Sequence, residues 1–224
     1  MRENLLNPLG PKLILASRSP RRSELLTMVG AHFEVHPVDV DEAARPDEHP
    51  EAHVVRLAEA KAEAAKARIA AGEGAGAAGD VIVGADTVVA VDRLILGKPV
   101  DAAEAVRMLT LLSGRVHEVW TGLHLVEAPD GPAVQEAVRS IVKFSRIDEE
   151  AIRRYVETGE PLDKAGAYAV QGRGALFVEA IEGSYTNVVG MPLSYLKHLL
   201  GMLAGLPDDL ARLRTGGPWD DPRE

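Results

Sequence analysis

Apolar and polar positions follow two periods along this chain, and the switches between them mark its elements. Leu13-Ile14-Leu15-Ala16 is a short apolar run of the kind a buried strand requires. A polar turn, Ser17-Arg18-Ser19, follows it, and Pro20 opens a helix over 20–29 that Gly30 stops. Proline suits the first helical position, where its missing N–H costs nothing, and Ser19 before it is a natural N-cap. Residues 33–37 form a short extended piece. A helix over about 50–71 is rich in Ala, Glu, Lys and Arg. Residues 72–79 read as a flexible glycine-alanine surface loop. Residues 81–91, Val-Ile-Val-Gly-Ala-Asp-Thr-Val-Val-Ala-Val, are nearly continuous in apolar side chains. Such a strand has to be buried on both faces, as at the centre of an α/β sheet.

A tight turn at Asp92-Arg93 leads into Leu94-Ile95-Leu96. Asp101 caps a helix to about Leu112, and Glu104 three residues on completes a capping box. Two long strands, over about 116–127 and 133–145, join through Pro129-Asp130-Gly131 as a hairpin. Asp148 caps a helix to Thr158, closed by Gly159. Short strands are expected near 167–171 and 175–181, and Pro192 opens a last helix to about Ala204. Helices alternate with strands, one antiparallel hairpin interrupts them, and the expected fold is α/β with a mixed sheet. Residues 1–11 read as a loose leader, 12–204 as one domain, and 205–224, polar with several prolines, as a mobile tail.

A chain of 224 residues can bury a real core. Its net charge of −9 argues against a nucleic-acid-coating protein. A small anionic ligand needs only local positive charge and stays open. The absence of cysteine excludes disulfides, thiolate metal sites and cysteine catalysis. No apolar run approaches the roughly 18–20 residues of a membrane span. With no signal-peptide core at the N-terminus, a cytoplasmic location is expected.

Two features carry chemistry. Arg21 and Arg22 stand in the first turn of a helix, the wrong end for cations, because the helix dipole is positive there. Either they are solvated and tolerated, or they converge with the free N–H groups on an anion such as phosphate. Asp86 is the second feature. It lies inside the apolar run 81–91, where an isolated carboxylate is costly unless it pairs, is protonated or binds metal. A carboxylate held by backbone N–H groups at a strand end is the plain alternative to a general base or metal ligand. Gly84 and Ala85 beside it leave room for something to approach the backbone.

Asp39, Asp41 and Glu42 form an acidic loop, and Glu42 with Asp86 could hold Mg²⁺ or Mn²⁺ between them. Lys61, Lys98 and Lys164, each unremarkable alone, could join Arg21 and Arg22 in a triphosphate clamp. The amide of Gln171 offers both a donor and an acceptor to a base edge. Asp163 and the polar run Ser184-Tyr185-Thr186-Asn187 are further cleft candidates. His49 and His53 have helical metal spacing, but Pro50 between them argues against a site.

Five segments in order, LASRSPRRSELL (15–26), GADTVV (84–89), LGKP (96–99), LSGRVHEVWTG (112–122) and TGEPLDKAGAYAVQG (158–172) with NVVGMPL (187–193), carry a resemblance. Together they closely resemble the Maf family of nucleoside triphosphate pyrophosphatases, over roughly residues 12–204. The resemblance implies a mixed, curved sheet with helices on both sides and two lobes around a central cleft, an inosine triphosphatase-like architecture, usually as a homodimer. It implies hydrolysis of a nucleoside triphosphate to the monophosphate and pyrophosphate, assisted by a divalent cation, for which Asp86 and Glu42 are the candidates read above from the residues. Asp86 falls on the family's proton acceptor. With a triphosphate substrate, Ser17, Arg21, Arg22, Lys61 and Lys98 are the expected phosphate ligands. Arg21, Thr87 and Gln171 fall on positions that tune substrate choice. At all three the chain is similar to the branch acting on dTTP and UTP, with CTP and modified pyrimidine nucleotides left open. The branch acting on 7-methyl-GTP carries tryptophan where Arg21 stands. The alternative function is a nucleotide-binding regulator of septum formation without significant turnover.

Overall fold

The computed structural model describes residue 6, residues 10–74 and residues 76–205. Most of the expected leader and nearly all of the expected tail lie outside the described residues. Leu6 is buried as part of the apolar cluster that includes Leu13, Leu25 and Leu200.

Seven strands form one sheet in the order β2(Phe33–Val35), β1(Leu13–Leu15), β3(Val81–Val91), β5(Val116–Glu127), β6(Ala133–Phe144), β7(Val178–Glu182), and β4(Leu94–Leu96) also pairs with β3. β1 runs parallel to β2 and β3, and the remaining pairs are antiparallel. The expected mixed sheet is what forms. β3 is buried along its whole length apart from half-buried Thr87, because helices cover both its faces.

Strand periodicity assigns those faces. Ile82, Val88 and Ala90 point to α2(Pro50–Ala70), packing with Val54, Ala62, Ala65 and Trp120. Val81, Val83 and Ala85 point the other way, to Leu25 and Leu26 of α1(Pro20–Met28) and Leu196, Leu199 and Leu200 of α6(Leu193–Leu203). Val89 and Val91 share that second face with Met108, Leu109 and Leu112 of α3(Ala102–Leu112) and Ile152 and Val156 of α4(Glu149–Glu157). Each fully buried Leu or Val contributes roughly 1.5–3 kcal/mol. The second face thus carries two apolar clusters, and Thr87 stands on β3 between them.

Two glycines let α2 settle on the sheet. A Cβ on Gly84 would lie 2.0 Å from the Ala58 carbonyl oxygen, and one on Gly122 would lie 2.2 Å from that of Val54. The space beside Gly84 is therefore filled by a helix backbone rather than by a ligand.

Local chemistry explains most of the element ends. Asp101 accepts from the Glu104 N–H at 2.8 Å, and Asp148 from the Ala151 N–H at 2.8 Å, as N-caps do. The capping box is shifted by one residue, because the Glu104 carboxylate accepts from Val100 N–H rather than from Asp101. Asp92 and Arg93 both adopt positive φ, the two-residue turn that suits a twisted hairpin. Ser19 occupies the N-cap position of α1 without making a side-chain cap. Ser17 Oγ instead accepts from the Ser19 N–H at 3.2 Å.

One expected strand is absent. Residues 167–171 do not pair, and short 3-10 turns span Glu160–Asp163, Ala165–Ala167 and Arg173–Phe177. Gly166 and Ala167 adopt φ of 67° and 59°, which no strand accommodates. The run 184–187 differs as well. Ser184 caps a short helix, α5(Tyr185–Val189), and Asn187 is fully buried rather than lining a cleft. Among the described residues no helix is long and apolar enough to cross a membrane.

Candidate active site

The edge of β3 facing β1 is open in its middle. β1 pairs only with Val81–Val83, β4 only with Val89–Val91, and residues 84–88 between them have no strand partner on that side. A cavity of about 730 Å³ lies at this window. The carboxyl end of β1 and the start of α1 open into it, the place where α/β sheets bind ligands.

Asp86 faces α2 across the window. Its Oδ1 accepts from Lys61 Nζ at 2.7 Å, and both side chains are about nine-tenths buried. The same ammonium lies 2.5 Å from Glu42 Oε1, so one lysine bridges two carboxylates. Lys98 Nζ stands 3.7 Å from the other Glu42 oxygen. Burial works against the charge on Glu42. The hydrogen bond from Lys61 and the nearby charges of Lys61, Lys98 and Arg22 outweigh it and hold the carboxyl below its ordinary value. Lys61 is thus no surface charge, because the close approach allowed by Gly84 carries it inside. Lys98 is mostly exposed at the rim.

Thr87 leaves β3 through the opposite face. Arg22 NH2 donates to its hydroxyl at 3.0 Å, and the hydroxyl lies 2.9 Å from Thr121 Oγ1. Thr121 in turn donates to the Asn187 carbonyl oxygen at 3.3 Å. Each hydroxyl has one proton, so Thr87 is the donor to Thr121. Arg22 also donates to the Gly190 carbonyl at 2.8 Å and to Ser17 Oγ at 2.8 Å. Three of its five N–H groups are therefore engaged within the protein. Arg22 is buried, and burial lowers its pKa. Its first task is to tie the β1–α1 turn to the α5–α6 turn, which leaves at most two N–H groups for a phosphate. The picture of two solvated arginines does not hold for it.

Arg21 is three-quarters buried at the cavity wall, 3.6 Å from Asp163. Asp163 also pairs with Lys164. Asp163, Lys164 and Gln171 line the cavity together. All the expected site residues thus line one cavity: Ser17, Arg21, Arg22 and Glu42 from the first segment, Lys61, Asp86, Thr87 and Lys98 from the middle, and Asp163, Lys164 and Gln171 from the last.

Other acidic and histidine candidates are used locally. Asp39 pairs with Arg18 at 2.7 Å, and Asp41 accepts from the Ala43 N–H. His49 sits edge-on to Trp120, and buried His53 pairs with Glu48 at 2.8 Å. Among the described residues no group of three or more His, Asp or Glu side chains could hold a metal ion. Glu42 and Asp86 supply two carboxylates, which suits a cation that takes its other ligands from phosphate oxygens and water. Tyr168 had no signal in the chain as a cavity residue, and His53 was set aside. Tyr168 donates or accepts at His117 Nε2 over 2.9 Å, and His53 is carried in by the first turn of α2.

The Maf-like protein family model matches residues 12–203. The chain belongs to the Maf-like protein family. The matched span contains the sheet, the six α-helices of the described residues and every expected site residue of this Maf-like protein. The protein is 50% identical over 194 residues to the dTTP/UTP pyrophosphatase of Geobacter sp. (strain M21), covering 87% of this chain and 96% of that one. It is 48% identical over 191 residues to the dTTP/UTP pyrophosphatase of Moorella thermoacetica, covering 85% and 94%. The dTTP/UTP pyrophosphatase of Burkholderia orbicola is 48% identical over 190 residues, covering 82% and 89%.

Proposed function

We propose that this Maf-like protein hydrolyses dTTP and UTP to the monophosphate and pyrophosphate. The observation that carries the reading is Asp86, a carboxylate held by Lys61 at the open edge of β3 within a cation-lined cavity. The names of the Geobacter and Moorella relatives support the substrate class.

Water attacks the α-phosphorus, its proton passes to Asp86, and the α–β anhydride bond breaks to release pyrophosphate. Lys61 holds Oδ1 of Asp86 and leaves the second oxygen to take the proton. Arg21, Lys61 and Lys98 bind the phosphates, with Ser17 and the first turn of α1 beneath them. Glu42 and Asp86, bridged by Lys61, would hold a Mg²⁺ or Mn²⁺ ion through the lone pairs that the ammonium leaves free, and the ion would neutralise phosphate charge. Gln171 reads the pyrimidine edge, and a purine left with unpaired groups is rejected. Arg22 and Thr87 act as the frame that fixes the turns around the substrate. Catalysis of this kind rests on positioning and electrostatic stabilisation. A homodimer in the cytoplasm completes the reading.

The test is pyrophosphate release from UTP, dTTP, CTP, GTP and ATP with Mg²⁺. Release from UTP and dTTP ahead of the purines is expected. Binding without turnover would replace this reading with that of a nucleotide-binding regulator. Asp86→Asn should keep the fold and lower turnover by about 10²–10⁴-fold, the usual share of a general base. Near-native release by that variant would remove Asp86 from the role.

A further inference from the structure

We infer that Tyr155 and Glu160 are positioning residues that set base selectivity by holding the backbone on both sides of Gln171. The inference rests on the reading that Gln171 meets the base. Gln171 sits in an irregular stretch, 168–172, with no strand to hold it. Something else has to fix its direction, because a mobile amide cannot discriminate one base edge from another.

The Tyr155 hydroxyl, on α4, accepts from the Ala169 N–H at 3.2 Å, two residues before Gln171. It donates to Glu160 Oε1 at 2.9 Å. Glu160 then accepts from the Arg173 N–H at 3.0 Å and from the Gly174 N–H at 3.1 Å, two and three residues after Gln171. One tyrosine–carboxylate pair thus grips both flanks of the segment. The backbone comes close enough only because it is glycine there. A Cβ on Gly172 would lie 2.4 Å from Glu160 Oε1, and one on Gly174 would lie 2.8 Å from the Tyr155 hydroxyl. Burial works against the Glu160 charge, but the two backbone N–H groups and the tyrosine outweigh it. Burial, then the neighbouring carboxylate, keeps the Tyr155 hydroxyl protonated and able to donate. Gln171 lines the cavity, whereas Tyr155 and Glu160 stand outside its lining, so they act only through the segment.

The experiment compares full-length wild type, Tyr155→Phe, Glu160→Gln, Gln171→Ala and Tyr155→Phe/Gln171→Ala. Selectivity is read as the UTP-to-GTP ratio of kcat/KM and, independently of turnover, as the ratio of the two dissociation constants. Amide exchange over 169–174 is followed alongside. Tyr155→Phe should lower the ratio about tenfold through KM for UTP, the size of one good hydrogen bond. Its kcat for UTP should change less than about twofold. Exchange over 169–174 should accelerate, Glu160→Gln should act in the same direction, and the double variant should match Gln171→Ala. Simple loss of folded protein would lower both substrates equally and leave the ratio alone. An unchanged ratio in Tyr155→Phe, with a lowered one in Gln171→Ala, overturns the positioning role and spares the reading of Gln171. An unchanged ratio in Gln171→Ala overturns that reading and the inference with it. Unchanged exchange in Tyr155→Phe removes the grip itself.

Discussion

Asp86 and Thr87 are neighbours on one strand whose side chains leave the sheet through opposite faces. Asp86 meets Lys61 of α2, and Thr87 meets Arg22 of α1. Both reach the same cavity because the edge of β3 is open between β1 and β4. The window therefore joins a carboxylate chemistry on one face to an arginine-braced frame on the other.

The approach of α2 to Asp86 depends on Gly84. Gly84→Ala would put a methyl 2.0 Å from the Ala58 carbonyl oxygen and 2.9 Å from the Ala62 nitrogen. Lys61 lies between those residues, so lifting the helix withdraws its ammonium from Asp86. Urea unfolding should show a loss of about 3 kcal/mol, typical of overpacking. Pyrophosphate release should fall with it, and unchanged values of both would show that the helix does not need the glycine.

Lys61 holds the buried Asp86 charge. Lys61→Met should destabilise the protein by about 3 kcal/mol, the cost of a buried charge left without its partner. Lys61→Met/Asp86→Asn should recover much of that loss, since no charge is then stranded. Chemical denaturation of the set reads this directly, and additive losses would contradict the pairing.

Arg21, which we propose tunes base choice, pairs with Asp163 at 3.6 Å and, unlike Arg22, is not tied to Ser17, Thr87 and the Gly190 carbonyl. Arg21→Trp should shift the ratio of 7-methyl-GTP to UTP turnover upward by about tenfold or more. A ratio equal to that of wild type would take Arg21 out of base selection.

His117 is buried beside Phe144 and Tyr168, and burial lowers its pKa to about 4. Between the ordinary imidazole value near 6.5 and about 4, the unfolded chain takes up a proton that the folded chain refuses. Stability therefore falls as the pH drops through this window, by about 3 kcal/mol in all for this group. His117→Gln cannot titrate and should lose that share of the acid sensitivity. Thermal melting from pH 7 to pH 4 would check it, and parallel curves for the two proteins would refute it.

The chain by itself determined the spans of β3, α2, α3, α4 and the β5–β6 hairpin, because period, caps and turn residues act within a few positions. It also carried the expected residues of the cavity, of which all but Glu42 and Lys61 sit in the ordered segments. Only the tertiary structure decided what those residues do to one another. The meaning of Gly84 came from a helix backbone, not a ligand. The division between Arg21 and Arg22 came from the Gly190 carbonyl, 168 positions away. The expected strand at 167–171 gave way to turns because Glu160 and Tyr155 take the backbone N–H groups of the segment around it. Such partners are brought together by packing, and no local pattern records which groups will meet.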